Sequence, residues 1–330
     1  MFTPVHTSLG ALLLFQGSAG LLLHNGSVLG ISSLLSGAVL NPTPDNMSII
    51  AGLVSSVVPV ALFMPTLIPS YPPAPSSWLS FMSTVGTGFL LGWGTKNGRG
   101  CTSGHMLCGI SRMSPRSFIA TAVFFTTALL TANFVAGGNI PPCAGEVPCY
   151  MPVYPATGEI IFMVGTTILA SVMNFFVVPR TLDRSHRSRT IFSYLAGLEF
   201  GMGLLFSGMA DPAKVLRFFA FLSDPSRFDP SLALIIVFGI GPSLATYLSI
   251  RPGQHTDEKV EQSKPTLAER WQLPTATVAD IDWRFVAGAM VFGLAWGLRG
   301  VCPGPAVLRT VLQPAWGLAE MTGFMLGDMV

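Results

Sequence analysis

The sequence predicts an all-α integral membrane protein, with about eight or nine transmembrane helices, four short re-entrant helices and an inverted pseudo-two-fold repeat. Three observations carry this expectation. Half of the 330 residues are hydrophobic and 10% are charged, whereas a soluble domain carries roughly 25% charged residues. Several apolar stretches approach the ~20 residues that a crossing needs. Glycine- and proline-rich breaks follow several of these stretches, and broken backbone at membrane depth requires cover from protein or a cavity. The net charge of +2 gives no case for nucleic-acid binding.

Taken in order, the apolar segments 8–23, 48–68, 77–94, 116–136, 156–178, 191–206, 231–250 and 283–298 read as spanning helices. A last segment, 315–330, packs on the bundle or spans part of it. Residues 1–23 lack a basic n-region and a small-residue cleavage site, so the first run reads as a retained helix. Four of the segments are short and lead into GSVLGISSLLSG (26–37), GRGCTSGHMLCG (98–109), GMADPAKVLRFF (208–219) and GPAVLRTVL (304–312). A short helix after such a break reads as a re-entrant half-helix.

Lys and Arg in short loops set the orientation. PRTLDRSHRSR (179–189) holds four Arg and one Asp and reads as cytoplasmic. Lys96, Arg99, Arg112 and Arg116 put 95–116 on the same side. Residues 70–77 and 137–155, whose one charge is Glu146, then lie outside. The chain divides into an N-terminal half, 1–178, a basic linker, 179–190, and a C-terminal half, 191–330, which contains a flexible polar loop, 251–282. The halves share patterns: GFLLGWGTKNGRGCTSG (88–104) pairs with GAMVFGLAWGLRGVCPG (288–304), and 20–37 with 203–216. The helices leading to the two cysteines run in opposite directions, the arrangement with which transporters build a midplane site.

Cys101 and Cys302 each precede a short helix whose free N–H groups and dipole welcome an anion. Each otherwise serves as small apolar filler. The glycines beside them, Gly100, Gly104 and Gly304, supply backbone freedom. Arg99 and Arg299 either draw an anion into a vestibule or anchor a helix end, and Lys214 has the same two readings. Ser103, Ser32, His105 and Cys108 complete the candidate pathway. Cys101, His105 and Cys108 carry metal-ligand side chains, but structural zinc takes four ligands, so no metal or other cofactor is expected. Cys101 and Cys108 are spaced too far apart for a C-x-x-C redox pair. Cys143 and Cys149 form a disulfide if their side is oxidising and stay free thiols otherwise. Glu199 is the best candidate for an intramembrane carboxylate, with a helix–helix hydrogen bond as the equal reading. There is no ATP-binding loop, and nothing points to an enzyme.

GRGCTSGHMLCGISRMSPRS, GMGLLFSGMADPAKVLRFF and GLRGVCPGPAV resemble signature stretches of the YeeE/YedE family of membrane proteins. The resemblance implies an hourglass of spanning and re-entrant helices with a thin central barrier. It implies import of thiosulfate or a related small sulfur-containing anion, handed along by cysteines through weak S–H and sulfur contacts. Small paired members each match one half, so the chain resembles a fused pair. Thiosulfate-importing members carry a cysteine near the N-terminus; here that region offers Ser32 and Ser33, so a three-cysteine relay does not carry over intact, and either Cys108 substitutes or the substrate differs. The expectation is a multi-pass protein of the plasma membrane whose partners are a sulfur oxyanion and the bilayer. The alternative is a thiol or sulfur-relay protein serving a soluble sulfur-carrier or thiol partner on the cytoplasmic side.

Overall fold

A computed structural model describes residues 1–69, 71, 77–135, 140–143, 147–252 and 264–330. Among these residues the fold is helical, and the only β-pairing consists of two isolated bridges, Phe2 with Pro152 and Ser27 with Gln272. The long helices are α1 (Pro4–Asn25), α3 (Pro44–Phe63), α5 (Pro115–Val135), α6 (Thr157–Thr181), α7 (His186–Ser207) and α9 (Pro230–Ile250). These six are long and apolar enough to cross a membrane. A bent pair, α10 (Trp283–Arg299) with α11 (Pro303–Leu312), makes a seventh if it counts as one span. Helix α4 (Trp78–Asn97) falls where a span is expected. Helix α12 (Pro314–Met329) has 16 residues; it reaches roughly 24 Å at 1.5 Å per residue, short of a ~30 Å hydrocarbon core.

Three of the four expected breaks share one backbone device: Gly26 (70°), Gly208 (77°) and Gly300 (67°) take positive φ and end α1, α7 and α10. At the fourth, α4 is capped by Gly98, and Arg99 (53°) and Gly100 (150°) turn the chain. A left-handed residue after the last turn closes a helix and turns the chain, and glycine adopts it without a Cβ penalty. A short helix follows each break: α2 (Ile31–Leu40), the π-helix Thr102–Gly109, α8 (Pro212–Phe218) and α11.

The packing of the long helices repeats with partners exchanged. Helix α1 runs antiparallel to α7, Gly10 meeting Ser207 and Gly17 meeting Ala196. Helix α4 runs antiparallel to α10, Gly98 lying against Ala289 and Arg299 donating to Ser83 Oγ at 3.0 Å. Helix α3 lies parallel along α7, with Ile49 at Gly197 and Leu53 at Gly201. Helix α9 lies parallel along α1, with Gly239 near Ala11. Helix α12 lies parallel along α4, Gly88 against Glu320 and Gly92 against Phe324. Helix α5 lies parallel along α10, Phe124 at Gly293 and Ala128 at Gly297. Small residues let these backbones touch, which is how helices gain packing energy in lipid. Phe124, Phe219, Phe292 and Trp296 interlock as aromatic pairs in the core.

Two loop expectations need comment. The polar loop expected to be flexible over 251–282 is anchored from 264 onward, and 253–263 lie outside the described residues. Thr266 and Leu267 donate backbone N–H groups to Leu23 O and His24 O, and Gln272 donates to Gly26 O. The last carbonyls of a helix lack intrahelical donors, and this segment supplies them at the end of α1. In the expected external loops, residues 70, 72–76, 136–139 and 144–146, with Glu146, lie outside the described residues. The described part of the second loop is held by Arg217, which donates to Pro141 O and Pro142 O, and by Arg227, which donates to Ile140 O.

Candidate functional site

Cys101 and Cys302 occupy matching backbone positions. Each is the residue before the first turn of a short helix, with φ, ψ of −124°, −167° and −121°, 170°. Each carbonyl accepts the first bond of the turn, from His105 N at 2.9 Å and Ala306 N at 3.0 Å. Both side chains are buried, at 1% and 5% exposure. Both line one cavity of about 20 Å³, together with Ser103, Gly304, Phe200 and Leu204. That volume holds about one water, so this conformation is closed to a larger ion. Ser103 ties the site together. Its Oγ accepts a hydrogen bond from Ile31 N (3.0 Å) at the start of α2 and lies 3.2 Å from Cys101 Sγ.

Gly100, the residue before Cys101, lines a larger polar vestibule of about 350 Å³. Ser32, Ser33 and Ser36 line it from α2, Lys96, Arg99 and Gly100 from the end of α4, and Asp328 from α12. Two cations against one acid favour an anion there.

The remaining expected residues lie elsewhere. His105 faces α5: Nδ1 is 3.1 Å from Ser117 Oγ and Nε2 is 2.9 Å from Gly98 O. It stitches the end of α4 to α5 and does not line the cavity. A Cβ on Gly100 would press on His105 Nε2 at 2.8 Å. A Cβ on Gly104 would meet only Gly30 Cα, at an ordinary contact distance of 3.9 Å. Cys108 donates to Leu29 O at 3.4 Å and lines a different cleft. Cys101, His105 and Cys108 carry metal-ligand side chains close together in the sequence, but the backbone sends the three side chains to three surroundings. Among the described residues no group of three His, Cys, Asp or Glu side chains converges as a metal site.

Arg299 reaches Ser83 across the α4–α10 seam, away from both thiols. Lys214 is committed to structure: its Nζ donates to Thr3 Oγ1 (2.6 Å) and Met1 O (3.3 Å) and lies 3.4 Å from Asp229. Burial pulls Lys214 below the usual lysine range, and Asp229 opposes that. Cys143 and Cys149 are joined as a disulfide. Glu199 accepts twice from Asn174 Nδ2, at 3.1 and 2.9 Å. Cys101, Cys108 and Cys302 are free and buried.

Sequence reasoning missed a buried ion pair. Arg309 NH1 lies 3.2 Å from Glu320 Oε2, and its guanidinium stacks over Tyr71 and Trp316. The signal was available: Arg309 is the lone charge of α11 and Glu320 is one of two acids in the apolar α12, and such charges usually pair.

Residues 8–130 match the family described as Sulphur transport, and residues 188–328 match a family of unknown function, DUF6691. A protein named Probable transporter from Xylella fastidiosa (strain 9a5c) is 40% identical over 139 residues, covering 41% of this chain and 86% of that relative. A Probable transporter from Xylella fastidiosa (strain Temecula1) is 38% identical over 128 residues, covering 38% of this chain and 91% of the relative. These relatives are therefore about half as long as this chain.

Proposed function

Because the chain belongs to the YeeE/YedE-like sulphur transport family, we propose that it imports thiosulfate or a related small sulfur-containing anion across the plasma membrane. The supporting observation is that Cys101 and Cys302, carried by antiparallel helices, line one small cavity. Their thiols act as weak donors and soft sulfur contacts, and the N-termini of the two short helices supply positive potential without a buried formal charge. Ser103 keeps the break after α1 in register with Cys101. The vestibule with Lys96 and Arg99 concentrates the anion on the cytoplasmic side, with Ser32 at its rim.

The two halves, 1–178 and 191–330, form an inverted repeat joined by the basic linker 179–190. The exchanged packing supports this reading: α3 follows α7 as α9 follows α1, and α12 follows α4 as α5 follows α10. The four short helices are then re-entrant. The total of eight or nine crossings counts α4 and α12 as well. The disulfide between Cys143 and Cys149 fits an oxidising outer face.

The test is uptake of labelled thiosulfate against sulfite, sulfate and sulfide in cells producing the parent, Cys101→Ala or Cys302→Ala. Parent uptake of thiosulfate that both variants lose supports the reading. Full activity in both variants overturns the thiol mechanism. Persulfide on a trapped Cys101 or Cys302 during turnover would instead favour a sulfur relay.

A further inference from the structure

The cleft beside Cys108 is separate from the Cys101–Cys302 cavity. It is bounded by Ser18 of α1, by Cys108, Ser111 and Arg112 at the end of the π-helix, and by Thr246 and Tyr247 of α9. Arg112 is half-buried. Its Nε donates to Cys108 O at 3.2 Å, which leaves the two terminal nitrogens of the fork free of that bond. Among the described residues no carboxylate lies within ion-pairing distance of Arg112. The ionisable groups that face it are Cys108 and Tyr247, and Arg116 adds a second positive charge nearby. A guanidinium taken partly out of water without a counter-ion is unfavourable, and a planar fork suits an oxyanion.

The cleft also holds unspent donors. Ser18 and Ser111 donate to carbonyls of their own helices, at Leu14 and Leu107. The side-chain hydroxyls of Thr246 and Tyr247 have no partner among the described residues. Both residues line the cleft that Arg112 also lines. A charged fork, two free hydroxyls and a thiol form a donor set for a small sulfur oxyanion, in which the thiol contacts sulfur and the hydroxyls and fork contact oxygen.

We propose that the cleft formed by Cys108, Arg112, Thr246 and Tyr247 is a second anion-binding station, distinct from the central cavity. Its sulfur selectivity rests on the transport reading above; its affinity for an oxyanion does not. The free room is about 20 Å³, near that of one water, so the flanking side chains must part to admit the ion. The same holds at the central cavity, and two small sites that open in turn let an ion pass without a continuous leak.

The experiment is equilibrium binding of radiolabelled thiosulfate to purified full-length protein, with sulfite and sulfate as competitors. The variant Cys101→Ala/Cys302→Ala is expected to keep saturable binding. Adding Arg112→Gln is expected to weaken Kd about tenfold, the size of one lost charge-assisted hydrogen bond. Arg112→Lys retains the charge and is expected to bind more tightly than Arg112→Gln. Tyr247→Phe is expected to weaken binding less than Arg112→Gln, and it serves as the probe if the Arg112 variants do not purify as folded protein. The proposal is overturned if the double alanine variant binds none of the three anions. It is also overturned if Arg112→Gln, or Tyr247→Phe in its place, leaves Kd unchanged. Uptake by the parent in cells is read separately, so absent transport with retained binding fails the transport reading alone.

Discussion

Cys101 and Cys302 stand at the same backbone position in two helix breaks whose parent helices run antiparallel, and both side chains face one cavity. Neither thiol is an isolated buried cysteine. A mutation at one acts on the same small volume as a mutation at the other. Cys101→Ser and Cys302→Ser keep a hydroxyl donor but lose the soft sulfur. Each is expected to cut the initial uptake rate of thiosulfate severely, and the double variant should lose little more, since residues sharing one site are not additive. A serine variant with the parent's rate would show that sulfur contact is dispensable there.

The vestibule charges act at longer range. Because the vestibule faces the cytoplasm in the proposed orientation, Lys96→Gln and Arg99→Gln are expected to raise the half-saturating concentration of internal anion for efflux from preloaded vesicles at low salt, with a smaller effect at high salt, because exposed charges are screened. Asp328→Asn should shift it the opposite way. Efflux kinetics at two ionic strengths check this, and a salt-independent effect would point to a packing role instead.

The Arg309–Glu320 pair is a stability element. Glu320→Gln removes the counter-charge of a buried guanidinium, leaving it the neutral acceptor Gln313 Oε1, and is expected to cost up to about 3–5 kcal/mol, whereas replacing both partners by apolar residues of similar size costs much less. Thermal unfolding in detergent should therefore rank Arg309→Met/Glu320→Leu above Glu320→Gln. The reverse order would mean that Tyr71 and Trp316 satisfy Arg309 without the carboxylate.

The contact of α4 with α12 depends on absent side chains. A Cβ at Gly92 would run into the Phe324 carbonyl oxygen, while one at Gly86 meets nothing within 4 Å. Gly92→Leu is expected to lower thermal stability strongly by forcing the helices apart. Gly86→Ala is expected to be neutral or slightly stabilising, because glycine in a helix interior costs about 0.5–1 kcal/mol relative to alanine. Parallel melting curves of the two variants decide it.

Much of this architecture is written locally. Apolar runs of membrane length mark α1, α3, α5, α6, α7 and α9, because lipid penalises every unpaired backbone group and leaves helices as the economical solution. The four breaks are legible for a similar reason: Gly26, Gly100, Gly208 and Gly300 adopt positive φ, which other residues rarely do. The family resemblance rests on the stretches around Gly100, Gly208 and Gly300.

What the sequence by itself determined, then, is the class of fold, the places where helices break and the identity of the two thiols at the breaks. Direction and neighbours were decided by tertiary structure. Cys101, His105 and Cys108 are close in sequence, yet they face a central cavity, helix α5 and a separate cleft. In the sequence Lys214 and Arg299 read equally as anion attractors or as helix-end anchors, and only their partners, Thr3 and Ser83, separate the two. The physical reason is that a side chain's role follows from what packs against it. Those partners lie as far away in the chain as Tyr247 is from Ser18, a distance that local pattern does not encode.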